Sequence, residues 1–221
     1  MNRSNHFANL SGLAYNKFGD ALTAKLKKLG YTKVKYIDID GAQVMVLTSN
    51  KEQVLAFRGT EPTQFSDIAA DLKAWKSKSK TDGSVHDGFY DEIEKVWSAI
   101  VPLLSKTKPL FITGHSLGGA MATIAASRLE NQTECLYTFG SPRVGNKDFS
   151  KVFETYNINS IRVTHYYDMV PHVPEEFLGY RHISQEVWYN EPNTEYTICN
   201  DENGTEDDTC SNSCSPTKCT S

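Results

Sequence analysis

The stretch from Leu110 to Ala120 (Leu-Phe-Ile-Thr-Gly-His-Ser-Leu-Gly-Gly-Ala) constrains the fold of this chain more than any other. Leu110-Phe111-Ile112 is a short apolar run without polar alternation, which reads as a strand covered on both faces. Met121, Ala122, Ile124, Ala125 and Leu129 then recur at helical spacing. Between the two lies Gly114-His115-Ser116-Leu117-Gly118, a G-x-S-x-G pattern in the strand, turn, helix context that a nucleophile elbow requires. Gly114 and Gly118 relieve crowding in a turn sharp enough to lift the Ser116 hydroxyl out of the sheet edge. Gly119 and Ala120 let the helix start close against neighbouring strands. The helix end behind Ser116 offers unpaired N–H groups and a positive dipole, and these favour the oxyanion formed when a carbonyl is attacked. The Leu117 N–H is the natural first donor. A bare glycine-rich turn without catalysis is the plain alternative, and the flanking strand and helix weigh against it.

The rest of the chain supplies the sheet that such an elbow needs. Phe7, Leu10, Ala14, Leu22, Leu26 and Leu29 predict one or two amphipathic helices ending near Gly30. Val34–Ile39, Val44–Leu47 and Val54–Phe57 read as hairpin-linked strands, with Asp40-Gly41 turning between the first two. Phe89, Ile93, Val96, Trp97, Ile100, Val101 and Leu104 form the clearest helical stripe. Leu136–Phe139 and Ile161–Val163 repeat the buried-strand pattern of Leu110–Ile112, and Gln185–Tyr189 with Glu195–Ile198 predicts a last hairpin. Strand and helix in alternation imply an α/β architecture, a central mostly parallel sheet with helices on both faces.

A chain of 221 residues with no Gly/Ser-rich or Pro-rich linker reads as a single domain, residues 1–221, ending in a cysteine-rich tail at 199–221. The formal charge is −4, and Asp201, Glu202, Glu206, Asp207 and Asp208 in that tail more than account for it. Nothing in this balance suits nucleic acid. No run is long and apolar enough to span a bilayer, and the first residues lack the apolar stretch of a signal peptide. Cys199, Cys210, Cys214 and Cys219 crowd a polar, core-poor segment, which predicts disulfides and an extracellular setting rather than a zinc site. Cys135 stands apart in an apolar run and reads as a small buried hydrophobe. Asn-x-Ser/Thr patterns begin at Asn2, Asn9, Asn131 and Asn203.

A serine hydroxyl becomes a useful nucleophile when a histidine takes its proton and a carboxylate orients that histidine. On an elbow fold the chain order is Ser, then acid, then His. Asp168 fits the acid, since Ile161-Arg162-Val163-Thr164 runs toward it and Met169-Val170-Pro171 ends the element after it. A turn aspartate is the plain alternative. His6 and His86 precede the elbow, and His115 and His165 read as packing or hydrogen-bonding residues.

Five segments together resemble the class 3 (fungal-type) lipases and their feruloyl-esterase relatives. They are Phe57-Arg58-Gly59-Thr60, Val85-His86-Asp87-Gly88-Phe89, the 114–120 elbow, the Tyr137–Gly145 segment containing Gly140-Ser141-Pro142-Arg143, and Asp168-Met169-Val170-Pro171-His172-Val173-Pro174. The resemblance implies an α/β-hydrolase fold and acyl-ester hydrolysis, with Ser116 as nucleophile, Asp168 as orienting acid, and Thr60 and Leu117 as oxyanion donors. A lipid or other acyl-ester substrate is implied, a triacylglycerol before a feruloyl or other carboxylic ester, with no metal or organic cofactor. The family's catalytic histidine sits in a C-terminal Asp-His-x-x-Tyr-Phe-like segment, which residues up to Ser221 do not contain. The expectation is therefore that the base lies beyond Ser221, with His182 as the fallback. A catalytically silent binding domain on the same scaffold is the rival reading. Phe65, Ile68 and Leu72, in a helical stripe with Ala69 and Trp75, occupy the family's lid position and imply transient contact with a lipid–water interface.

Overall fold

The computed structural model describes residues 3–60, 76–165, 167–183, 185–189 and 196–199, with the side chains of 76, 185 and 196–199 left aside. The N-terminal apolar spacing forms α1 (Arg3–Leu13) and α2 (Asp20–Lys28), and Gly30, at φ 98°, turns the chain toward the sheet. Strands β1 (Lys33–Ile39) and β2 (Ala42–Thr48) pair antiparallel through Asp40-Gly41, both residues at positive φ, as a two-residue hairpin requires. β3 (Gln53–Phe57) follows antiparallel to β2.

Two short strands, β4 (Lys76–Lys78) and β5 (Ser84–His86), lead into α3 (Asp87–Ile100), where the His86 imidazole accepts the Gly88 N–H as the N-cap. Phe89, Ile93, Val96 and Ile100 are buried as the stripe predicts. The helix stops at Ile100, however, and Val101–Leu103 continues as a single 3₁₀ turn. Pro102 lacks the N–H an α-helix needs, and its ring crowds the preceding turn. Val101, read as part of the buried stripe, is consequently 46% exposed.

The remaining elements are β6 (Leu110–His115), α4 (Leu117–Arg128), β7 (Thr133–Phe139), β8 (Gly145–Asn146), α5 (Lys147–Thr155), β9 (Asn159–His165), β10 (Tyr180–Arg181), β11 (Gln185–Tyr189) and β12 (Tyr196–Cys199). The main sheet has the order β1-β2-β3-β6-β7-β9-β11-β12. Its inner strands β3, β6, β7, β9 and β11 run parallel, and antiparallel pairings close both sides. This is the expected α/β-hydrolase arrangement. Phe7, Leu10, Leu22 and Leu26 of α1 and α2 pack on one face with Met45, Val54 and Tyr137, and Phe7 stacks on Tyr137 at 4.5 Å between ring centroids. Residues of α3, α4 and α5 pack on the other face with Val44, Leu55 and Ile112. Cys135 is buried in β7. A second, antiparallel sheet of order β10-β8-β5-β4 has strands of two or three residues, too short to show a pattern in sequence.

Candidate active site

The parallel strands deliver their C-terminal ends to one edge of the sheet, and the elbow stands there. Ser116 adopts φ 55°, ψ −128°, a left-handed conformation rare for a residue with a Cβ. The surroundings hold it: its N–H donates to Phe139 O at 2.9 Å, and its own carbonyl accepts the Gly119 N–H at 2.8 Å. Ser116 occupies the N-cap position of α4, yet its side chain makes no capping hydrogen bond. A serine at an ordinary N-cap spends its hydroxyl on the helix; here the backbone angle points it elsewhere. Close approach explains the neighbouring glycines. A Cβ on Gly114 would strike the Gly118 carbonyl, and one on Gly118 would strike the Phe57 carbonyl. A Cβ on Gly59 would meet Tyr15 Oη and His115 O, and would lie 3.3 Å from the Ser116 Cβ.

That last contact presses the segment after β3 against the elbow. Thr60 and Leu117 together line a cleft of about 330 Å³ that also touches Gln43, Arg58 and Met121. Leu117 is the first residue of α4, a position whose N–H has no acceptor within the helix. The Arg58 guanidinium donates to Gln43 Oε1 at 2.8 Å, fixing one wall.

Asp168 reaches the same edge from the turn after β9. Its N–H donates to His165 O at 2.9 Å, and its Oδ1 accepts the Val170 N–H at 2.9 Å. Its Oδ2 lies against the Cα of Gly140, the residue following β7. Gly140 has φ 54° and donates its N–H to Val163 O at 2.9 Å. A Cβ there would strike Asp168 Oδ2 and would come within 3.6 Å of His115 Nε2. The structure thus brings Ser116, Leu117, Thr60 and Asp168 to one edge. Gly140 is a residue the site needs that the serine, acid and histidine search missed. Its signal was present in the Gly140-Ser141-Pro142-Arg143 run.

The histidines divide by their partners. His115 Nδ1 pairs with the Tyr15 hydroxyl at 2.8 Å; burial lowers its pKa, and the nearby Asp168 charge opposes that shift without cancelling it. His6 pairs with Tyr31, and His86 caps α3. His182, the fallback base, stands beneath the acid turn. Its Nε2 donates to Pro171 O at 2.8 Å, and its own carbonyl accepts the Ser150 hydroxyl at 2.7 Å. Burial first, then the Arg162 and Arg143 guanidinium groups, hold its pKa well below the ordinary value. A catalytic base has a carboxylate on one ring nitrogen and the serine hydroxyl on the other; the structure places His182 Nε2 on the turn that carries Asp168. Arg143 grips the same turn, donating to His172 O at 2.6 Å and Pro174 O at 3.1 Å. Phe65, Ile68 and Leu72, expected as a lid, and the cysteines Cys210, Cys214 and Cys219 lie outside the described residues, as does the side chain of Cys199.

The chain has known relatives in sequence and in structure. The sequence model of the family described as Lipase (class 3) matches residues 54–178, a stretch that contains Thr60, Ser116, Leu117 and Asp168 and ends before His182. A lipase of Rhizopus niveus is 34% identical over 188 residues, covering 77% of this chain and 47% of the relative. A secreted mono- and diacylglycerol lipase 1 of Fusarium solani is 38% identical over 163 residues, covering 67% of this chain and 47% of the relative. This chain thus spans about half the length of these curated relatives. Among solved structures, lipase II from Rhizopus niveus superposes with a TM-score of 0.81 at 28% identity, covering 95% of this chain and 87% of that one. A lipase from Rhizopus microsporus var. chinensis gives 0.70 at 26% identity, covering 84% and 73%. This chain belongs to the class 3 lipase family.

Proposed function

We propose that this protein hydrolyses acyl esters of lipids through an acyl-enzyme on Ser116. The observation that carries the reading is the strained elbow itself: a serine at φ 55° whose hydroxyl makes no capping bond, at the edge shared by Asp168, Thr60 and Leu117. Ser116 Oγ attacks the ester carbonyl carbon while a histidine seated at Asp168 takes the hydroxyl proton. The N–H groups of Leu117 and Thr60 receive the negative charge on the carbonyl oxygen, and the Thr60 hydroxyl adds a further donor. Collapse breaks the bond to the alcohol, which leaves with the proton from the histidine. Water then repeats the sequence on the acyl-serine and releases the carboxylic acid.

The lipid part of the proposal draws on the relatives' names and on the rim of the site. Tyr167 and Met169, on either side of Asp168, and Phe177 further along are large apolar side chains exposed by 62%, 72% and 84%. Exposed apolar side chains on both sides of Asp168 suit an acyl chain or a lipid surface, and we read Phe65, Ile68 and Leu72, at the family's lid position in the sequence, as adding to that apolar character. A secreted protein, with disulfides among Cys199, Cys210, Cys214 and Cys219, fits the same picture. The test is covalent labelling by a fluorophosphonate probe, together with titration of fatty acid released from an emulsified acylglycerol. Wild type labels on Ser116 and releases acid; Ser116→Ala does neither while keeping its melting temperature. Equal labelling or turnover in Ser116→Ala sinks the assignment.

A further inference from the structure

The edge of the sheet opposite Ser116 holds a different site. The turn between α4 and β7 contains Asn131-Gln132-Thr133, the pattern that N-linked glycosylation uses. Asn131 is exposed. Its Nδ2 donates to Glu130 Oε1 at 3.3 Å. Asn131 also lines a polar cleft of about 560 Å³ between this turn and the end of α5, together with Glu130, Gln132, Glu134, Tyr156 and Asn157.

Three features of the cleft suit a sugar ring. Tyr156 stands in its wall, with an edge contact to Phe153 at 5.6 Å between centroids. A fixed aromatic ring offers a face to the apolar C–H side of a pyranose. Glu130 and Glu134 provide acceptors for sugar hydroxyls. Gln132, whose Oε1 is buried and meets no donor among the described residues, adds an amide to the same wall. The second described sequon, Asn9-Leu10-Ser11, has no such companion: it lies within α1, with Leu10 fully buried and the Ser11 hydroxyl bonded to Thr113.

We propose that Asn131 carries an N-linked N-acetylglucosamine-based glycan, whose first ring rests in this cleft against Tyr156. The inference rests on the secretory route proposed above and is independent of ester hydrolysis. In the modification, Asn131 Nδ2 bonds to the anomeric carbon of a polyprenyl-diphosphate-linked oligosaccharide, the diphosphate leaves, and the amide proton passes to solvent. The reaction precedes folding of the turn, because in the folded chain Thr133 is 4% exposed and its hydroxyl donates to Leu129 O at 2.9 Å. Asn131 precedes the first residue of β7 while Ser116 follows the last residue of the parallel β6, so the glycan stands roughly 20 Å from the catalytic edge at about 3.3 Å per strand residue. Ester turnover is unaffected by it.

The experiment uses the full chain secreted by a eukaryotic host. Protein from the medium is treated with peptide N-glycosidase in heavy-oxygen water, and the peptide containing residue 131 is sequenced by mass spectrometry. Conversion of Asn131 to a labelled aspartate supports the site; protein in the medium with an unmodified Asn131 overturns it. Chain retained in the cell without any glycan overturns the secretory reading instead. Docking is read separately, by trimming the glycan to one N-acetylglucosamine and comparing with Asn131→Gln. The trimmed protein is expected to melt about 2–4 °C higher, as about 1 kcal/mol gives for a domain of this size, and Tyr156→Ala is expected to erase the gap. A gap that survives Tyr156→Ala, or no gap, overturns the docked ring.

Discussion

His182 meets the acid turn through a hydrogen bond to Pro171, and the chemistry of that bond separates its possible roles. Its Nε2–H holds Pro171 O, and Pro171 lies three residues beyond Asp168. Removing one partner of a buried hydrogen bond costs about 1–3 kcal/mol, and a loosened acid turn misplaces the carboxylate. His182→Ala is therefore expected to lower kcat for a short p-nitrophenyl ester about tenfold or more with a smaller change in KM. His182→Gln, whose amide places a donor near the same point, should recover most of that loss. A base cannot be replaced by glutamine, so loss of about 10²–10⁴-fold in His182→Gln with an intact melting curve would assign His182 the catalytic role. The local half of this site is legible in sequence because glycine spacing around Ser116 is a property of one turn. The contact of Gly140 with Asp168 and the bond from His182 to Pro171 join segments whose meeting depends on the sheet, and no spacing encodes them.

Packing of α3 on α4 turns on Arg128, the last residue of α4. Its guanidinium lies over Tyr90 and Trp97 at 5.2 and 4.8 Å from the ring centroids, and NH1 pairs with Glu94 Oε1 at 2.6 Å. Lys80 approaches the other Glu94 oxygen at 2.6 Å. Burial pushes the Glu94 carboxyl up, and the two cations more than offset this, leaving its pKa below the ordinary value. Truncation removes the aromatic stacking and leaves Glu94 with only Lys80, a loss of about 2–3 kcal/mol. Arg128→Ala should thus shift the urea midpoint downward without changing the slope, while ester turnover per folded molecule stays at the wild-type level. In sequence, the α3 stripe announced this face through Phe89, Ile93, Val96 and Ile100, but it overran into Val101 because Pro102 acts on the residues before it. The charged partners of the stripe were invisible, since Arg128 reads as an ordinary helix C-terminal cation.

Four histidines that are wholly or partly buried give the molecule a shared pH dependence. His6, His86, His115 and His182 all have pKa values lowered chiefly by burial, His182 the most. The unfolded chain therefore binds protons near pH 6.5 that the folded chain refuses. Stability is present in full above that value and falls as pH drops through it, by about 1.4 kcal/mol per pH unit for each proton taken up on unfolding. The melting temperature should be level near pH 7.5 and decline below about 6.5, with a shallower decline in His182→Gln; a flat profile down to pH 5.5 would count against this reading. The strand order carries a kinetic consequence as well. Thr60, Ser116, Gly140 and Asp168 follow β3, β6, β7 and β9, and parallel neighbours join only after long crossovers have closed. Helices can form early from local contacts, whereas the nucleophile, the oxyanion donors and the acid meet only when four distant segments have come into register. On dilution from denaturant, far-ultraviolet ellipticity should recover ahead of fluorophosphonate reactivity at Ser116, which makes the chemical competence of this serine a clock for the last steps of folding.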